Sequence, residues 1–299
     1  MLAVLLSTYN GADFLSTQLD SLEKQSYRDF QLYVRDDGSS DTTVEILSSY
    51  DCKQLDSSEN LGSTESFLRL LKYALQESEN RYFMFCDQDD FWKEDKIEKS
   101  LQKMRDLEKC FAKKPLLVHT DLEVVDASLQ RVKDSFWEYE KIDPSLNSFH
   151  RLLMQNTVTG CTVIINRELA EMVSSPASKA VLHDSWLALI ASYFGTIDFI
   201  PESTILYRQH QQNSIGTKGI SLDYLINRLQ KRDFLFRNIA QAKAFLELYG
   251  DRLDKETLLM LEDFISIESK TFFQKRKILL KYKLLKQGFL RNLGLLVKV

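Results

Sequence analysis

What this chain has little of narrows its class. Only four prolines and ten glycines occur in 299 residues, which excludes a long Pro- or Gly-rich linker. The four cysteines, Cys52, Cys86, Cys110 and Cys161, are scattered, without a Cys-x-x-Cys pair or zinc-ligand spacing. A disulfide framework and a structural zinc site are therefore both excluded as organising devices. No stretch reaches the roughly 18 apolar residues that a membrane span needs. The opening MLAVLLSTYN has no basic residue and five apolar residues after Met1, which predicts no secretory leader. Together these features predict a reducing, cytoplasmic setting. Neither Gly-x-Gly-x-x-Gly nor a Walker sequence is present, so a bound nucleotide would have its phosphates held by a metal rather than by a glycine cradle.

Composition is otherwise that of a soluble globular protein, 44% hydrophobic and 27% charged. The net charge of −4 hides an asymmetry. Of 39 basic residues, nine lie in residues 270–299, where no Asp or Glu occurs, so the other 269 residues set 30 basic side chains against all 43 acidic ones. So acidic a body excludes generic nucleic-acid binding. The tail interleaves its charges with Phe272, Phe273, Ile278, Leu279, Leu280, Leu284, Leu285, Phe289 and Leu290. That pattern reads as a basic amphipathic helix on an anionic membrane surface, or as a helical hairpin packed on the body or on a second subunit of a homo-oligomer.

Short apolar runs alternate with helical periodicity through the first 126 residues. Strands are predicted at 2–7, 30–35, near 53–55, at 82–86 and at 116–126, with helices at 13–25, after Asp41, at 63–78 and at 94–110. Asp41 is a candidate N-cap. This alternation predicts an α/β fold with a mostly parallel sheet covered on both faces. Beyond residue 126 the pattern loosens: a strand at 159–166, a helix at 183–194, strand–turn–strand at 196–210, and helices from Ser221 onward, with Leu222, Leu225, Ile226 and Leu229 on one face.

Polar clusters follow the strands: Ser7-Thr8-Tyr9-Asn10 after the first, Asp36-Asp37-Gly38 after the second, and Asp87-Gln88-Asp89-Asp90 after the fourth. In a parallel sheet, ligands bind outside the carboxyl ends of the strands, so the three loops predict one site. Asp87 and Asp89 are two residues apart and point the same way on extended backbone. Two carboxylates at an open strand end suit Mg²⁺ or Mn²⁺. Gly38 and Asp41 have turn and cap roles, whereas Asp36 and Asp37 continue an apolar strand and suit a base N–H or a ribose hydroxyl. Trp92 beside the acids is either a core residue or an exposed flat apolar face. Asp184 opens an apolar helix, where it can cap the first turn. Asp90 reads as a supporting or capping carboxylate.

In this order and spacing, STYNGADFLSTQLDSLEKQSYRDFQLYVRDDGSSDTT, ENLGSTESF and MFCDQDDFWKEDKI resemble the family 2 glycosyltransferases of GT-A fold over about residues 1–125. TGCTVIINR, HDSW and YRQHQQNSIG resemble the bacterial rhamnosyltransferases within that family. The resemblance implies an inverting transferase using a nucleotide-diphosphate sugar. In this chain Ser7, Thr8, Tyr9, Asp37 and Asp87 would bind the nucleotide sugar, Asp89 and His210 the metal, and Asp184 would be the catalytic base. Trp92 and Trp186 are candidates for the acceptor side. Two departures stand out: His183 precedes Asp184 where the commoner pattern has an acid, and the NLGSTESF stretch has, after Asn60, no further Asn or Arg of the kind often found there. The implied organisation is a GT-A domain over 1–215, with a donor half (1–125) and an acceptor half (126–215), followed by a helical region (216–299). L-rhamnose from dTDP-rhamnose and a lipid-linked glycan acceptor at the inner face of the cell membrane are the expected substrates. A nucleotidyltransferase would need a phosphate-gripping Lys or Arg near Gly11, and none is there. A non-catalytic nucleotide-sugar-binding module is the other alternative, against which intact Asp89, Asp184 and His210 argue.

Overall fold

The structure is a computed structural model describing residues 1–56, 59–173, 182–210 and 233–299. Its first part alternates β1 (Leu2–Thr8), α1 (Ala12–Glu23), β2 (Phe30–Asp36), α2 (Thr43–Leu47), β3 (Lys53–Gln54), α3 (Ser63–Ala74) and β4 (Tyr82–Cys86). There follow β5 (Phe91–Trp92), α4 (Lys96–Cys110), β6 (Leu116–Val125), β7 (Arg131–Lys133), α5 (Phe136–Glu140), α6 (Phe149–Leu152), β8 (Ile164–Asn166), α7 (Arg167–Val173), α8 (His183–Phe194) and β9 (Thr196–Arg208). Helices α9 (Asp233–Tyr249), α10 (Lys255–Ile265), α11 (Phe272–Lys281) and α12 (Phe289–Lys298) close the chain. The helix face predicted at residues 222–229 and the end of the YRQHQQNSIG stretch lie outside the described residues.

The strands form one sheet in the order β3-β2-β1-β4-β8-β6-β9-β5, with β7 added to β6. β1, β2, β3 and β4 pair parallel, as do β6 and β9; β8 runs antiparallel between β4 and β6. The period-2 rule sorts the core. Ala3, Leu5, Phe83 and Phe85 face one layer, filled by α3, α6, α7, α8 and the C-terminal helices. Leu2, Val4, Leu6, Met84 and Cys86 face the other, against α1 and α4. Because β1 and β4 are covered on both sides, their sequences are continuous apolar runs rather than alternating ones.

Two local expectations change. Gly160–Thr162 is a 3-10 turn, so the strand expected from residue 159 reduces to Ile164–Asn166. The strand–turn–strand at 196–210 is one strand: pairing with β6 shifts from Thr120↔Ile200 to Asp121↔Ser203, so Pro201 and Glu202 bulge and the ladder resumes. The tail is a hairpin of two helices. Ile278, Leu279, Leu284, Leu295 and Val299 sit in the same core cluster as Trp186 and Phe245. The Gln287 amide exchanges two hydrogen bonds with the Asp143 backbone, at 2.7 and 2.8 Å. No helix among the described residues is long and apolar enough to cross a membrane.

Candidate active site

The three strand-end loops are knitted together. The Asn10 N–H donates to Ser39 Oγ (2.8 Å), the Ser40 N–H to Asn10 Oδ1 (2.8 Å) and the Gly11 N–H to Thr43 Oγ1 (2.9 Å). Asp41 accepts from the Thr43 N–H and the Ala12 N–H, serving the starts of two helices at once. Between β1 and β4 the tie is Gln88: its Oε1 accepts the Tyr9 N–H at 2.8 Å and its Nε2 donates to Tyr9 O at 3.0 Å. Gly11 makes room for it, since a Cβ there would lie 2.3 Å from Gln88 Oε1. Sequence reasoning passed over Gln88, because a residue between two aspartates reads as a spacer.

The hydroxyls and carboxylates nearest the expected nucleotide are partly engaged within the protein. Ser7 Oγ donates to Ser66 Oγ (2.7 Å) and Thr8 Oγ1 to Asp36 Oδ1 (2.9 Å), while Tyr9 is half exposed. Asp36 also caps the Gly38 turn, accepting from the N–H groups of Gly38 and Ser39; Gly38 itself has φ +84°. Asp37, expected at the base, is 2% exposed and already matched. It takes the Arg35 guanidinium and the N–H groups of Leu61 (2.9 and 3.0 Å) and Gly62 (2.7 Å). This partner set accounts for an acid continuing an apolar strand: it anchors the 59–62 loop.

After β4 the balance reverses. Oxygens of Asp87 and Asp90 and the Cys161 sulfur lie within 4.8 Å of one another. Asp90 is fully buried; its Oδ1 accepts the Arg208 N–H (3.1 Å), while Oδ2 has no partner. Burial, then Asp89 and Asp184, push the Asp87 carboxyl up to about 7. Burial, then Asp89 and Asp87, hold the Asp90 carboxyl well above the usual carboxylate range. The buried thiol of Cys161 is likewise raised by burial and by these acids. Lys96 lies beneath, fully buried, with its ammonium 4.6 Å from the Trp92 ring; burial lowers its pKa to about 8. A lysine on an amphipathic helix reads as solvent-facing, so only the tertiary fold reveals it.

β9 delivers the remaining groups. His210 Nε2 lies 2.8 Å from Asp89 Oδ2, so the two expected metal ligands stand side by side. Arg208 fixes this junction through Nε to Asp89 O (2.8 Å) and Nη1 to Ala127 O (2.5 Å). The Phe14 ring packs against both the Arg208 guanidinium, at 4.5 Å, and the His210 ring, at 4.6 Å. Unmatched buried carboxylate oxygen beside an Asp–His pair is a donor set that fits a hard divalent cation.

Asp184 lies in the first turn of α8, where its Oδ1 accepts the Ser185 N–H at 2.5 Å. Burial raises its pKa to about 6, against the lowering effect of hydrogen bonds from Ser185, Gly160 and Asn156. Burial drives the neighbouring His183 down to about 4, so it stays neutral, packed against Phe67 and Phe85 at 4.4 and 5.4 Å. Gly160 admits this ring: a Cβ there would lie 2.6 Å from His183 Nε2. The acceptor expectation for the tryptophans is corrected. Trp92 and Trp186 are both fully buried, one against Lys96 and the other among Phe245 and Tyr249, so neither offers a ring face.

A mixed, mostly parallel sheet with acidic loops at its carboxyl edge, flanked by helices, is a GT-A fold. Residues 3–167, more than half the chain, match the sequence profile of Glycosyl transferase family 2, and the chain belongs to that family. It is 26% identical over 293 residues to an uncharacterised glycosyltransferase of Rickettsia typhi, covering 95% of this chain and 83% of that one. It is 27% identical over 231 residues to the dTDP-rhamnosyl transferase RfbG of Shigella flexneri, covering 71% and 73%. Among solved structures, S. aureus TarS 1–349 in complex with UDP-GlcNAc superposes with TM-score 0.59 at 16% identity, over 94% of this chain and 80% of that one. The mannosyltransferase PcManGT from Pyrobaculum calidifontis, in complex with GDP-Man and Mn²⁺, gives 0.53 at 16% identity, over 99% and 78%.

Proposed function

We propose that this glycosyltransferase is an inverting, metal-dependent enzyme that moves L-rhamnose from dTDP-rhamnose to a lipid-linked glycan acceptor. The observation that carries the reading is the convergence of Asp89 and His210, 2.8 Å apart, beside the buried Asp90 carboxylate, one oxygen of which has no partner. Asp89 and His210 hold Mg²⁺ or Mn²⁺, with Asp87 oriented toward the donor's ribose or sugar. The cation, when bound, neutralises charge on the nucleoside diphosphate leaving group. Ser7, Thr8 and Tyr9 line the nucleotide, and Asp37 supports that edge by fixing the 59–62 loop. Asp184 takes the proton from the acceptor hydroxyl; at about 6 its pKa leaves it mostly ionised at neutral pH yet more basic than an exposed aspartate. The donor half is 1–125 and the acceptor half 126–215.

The sugar assignment rests on the rhamnosyltransferase likeness of TGCTVIINR, HDSW and YRQHQQNSIG and on the relative named as a dTDP-rhamnosyl transferase. A UDP- or dTDP-hexose is the second reading, favoured by a relative named as a UDP-Glc-dependent glucosyltransferase of Escherichia coli, WfgD, 26% identical over 194 residues. The lipid-linked acceptor places the enzyme peripherally on the inner face of the membrane. The test is a donor panel of dTDP-rhamnose, UDP-glucose, UDP-GlcNAc and GDP-mannose with Mn²⁺, read by thermal shift and by release of nucleoside diphosphate. Metal-dependent stabilisation and release with dTDP-rhamnose above the others is expected. Release from every donor without a metal overturns the metal assignment, and preference for another donor overturns the sugar.

A further inference from the structure

The C-terminal hairpin has two unlike sides. Its inner side is built into the protein: Ile278, Leu279 and Leu295 are buried, and Arg291 is bonded to the backbone oxygens of Glu140 and Lys141. On α11 the residues pointing away are Phe273, 81% exposed, and Leu280, with Lys277 between them at spacings of four and three. On α12 they are Phe289 and Leu290, each 79% exposed, then Leu293 and Val297 at i+4 steps. Monomeric proteins scatter exposed apolar residues singly, so helical rows of them need an explanation.

We propose that this outward side of α11 and α12 docks the enzyme on an anionic lipid bilayer. The inference deepens the reading of a lipid-linked acceptor and names the surface that meets the lipid. Charge decides among occupants. All nine charged residues of 270–299 are basic, while the rest of the chain is net acidic. A second copy meeting this face about a two-fold axis would set the same positive segment against itself, which is repulsive. A nucleic acid offers anions but no apolar phase for Leu290 and Val297. A bilayer with anionic headgroups offers both, at the depth an interfacial helix needs.

The experiment is co-sedimentation of the full chain with phosphatidylcholine vesicles, with and without phosphatidylglycerol, alongside analytical ultracentrifugation. Binding to the phosphatidylglycerol vesicles alone is expected, weakening as salt rises. Phe289→Ser with Leu290→Ser should lower it by about tenfold or more, and Lys277→Glu with Lys283→Glu by a similar factor. Both variants should keep wild-type stability and wild-type release of nucleoside diphosphate from soluble donor, which separates this proposal from the assignment of the chemistry. Equal binding by wild type and the Phe289/Leu290 variant, or no binding to either vesicle, overturns the proposal. A dimer in solution that the same variant dissolves overturns it in favour of self-association.

Discussion

Two acidic loops lie on one edge of this sheet, and their carboxylates are treated in opposite ways. After β2, Asp36 and Asp37 sit among donors: hydroxyls, four backbone N–H groups and the Arg35 guanidinium. After β4, Asp87 and Asp90 sit beside one another and the Cys161 thiol, Asp89 faces His210, and a buried oxygen of Asp90 has no partner. Sequence alone shows the same feature twice, aspartates ending an apolar strand. The difference is whether the protein itself supplies the positive ends of hydrogen bonds. Where it does, the acid holds loops together; where it supplies fewer, a buried carboxylate oxygen is left without a donor.

The sharpest break would come from Asp184, which belongs to neither loop. Asp184→Asn should lower kcat by about 10²- to 10⁴-fold while leaving donor-induced thermal stabilisation intact. In the wild type, activity should rise with pH through about 6 and level off above it, because the base must be ionised. A flat profile between pH 5 and 7 would remove Asp184 from that role.

Next in size, Asp89→Ala should reduce turnover by about 100-fold and abolish the Mn²⁺-dependent rise in Tm. The crowded loop also carries a stability signature. The folded Asp87 carboxyl holds its proton to about 7, against an ordinary 3.8, so the unfolded chain releases that proton first as pH rises. Apo-protein stability from this group is therefore fully present below about 4 and declines toward pH 7; added Mn²⁺ should offset the decline. Thermal melts across that range, with and without the metal, check the sign.

The donor-rich loop should respond differently. Asp37→Ala leaves Arg35 buried and unpaired and should cost about 3–5 kcal/mol of stability by denaturant titration, with no change in metal dependence. A variant of wild-type stability with weakened nucleotide affinity would erase the contrast between the loops. The smallest effect expected is at their junction. Gly11→Ala and Gln88→Ala should each cost about 1 kcal/mol, and together little more than either alone, since both disrupt the same Gln88–Tyr9 pair.

How much of this was legible follows from where the information resides. β1, β2 and β4 are short buried runs with polar ends, so residue order fixes both the strands and the edge that gathers their loops. The placement of Asp89 beside His210 was legible only through the resemblance of YRQH, because 121 positions separate the two. The burial of Lys96 was not legible, and that of Trp92 was only one of two readings: a helix beginning at Asp95 or Lys96 shows amphipathic periodicity either way, and only its packing against β6, β8 and β9 decides which side closes. Nor were Asp37's loop partners, backbone N–H groups that have no sequence signature. Of the tail's two readings, the packed hairpin is what its inner side forms, and the membrane surface rests on the outward side proposed above.

β8 has a consequence for how the protein can be made. Its three residues, Ile164–Asn166, cover the far edge of β4, whose Tyr82–Cys86 backbone pairs with β1 on the other side. Until residue 166 has been synthesised, β4 is an open edge of almost wholly apolar residues, the kind that recruits other chains. The segment matching the family ends at residue 167, one residue past this cover. A truncation for expression that stops in the loop before β8 should yield aggregates, however complete its donor-side loops are.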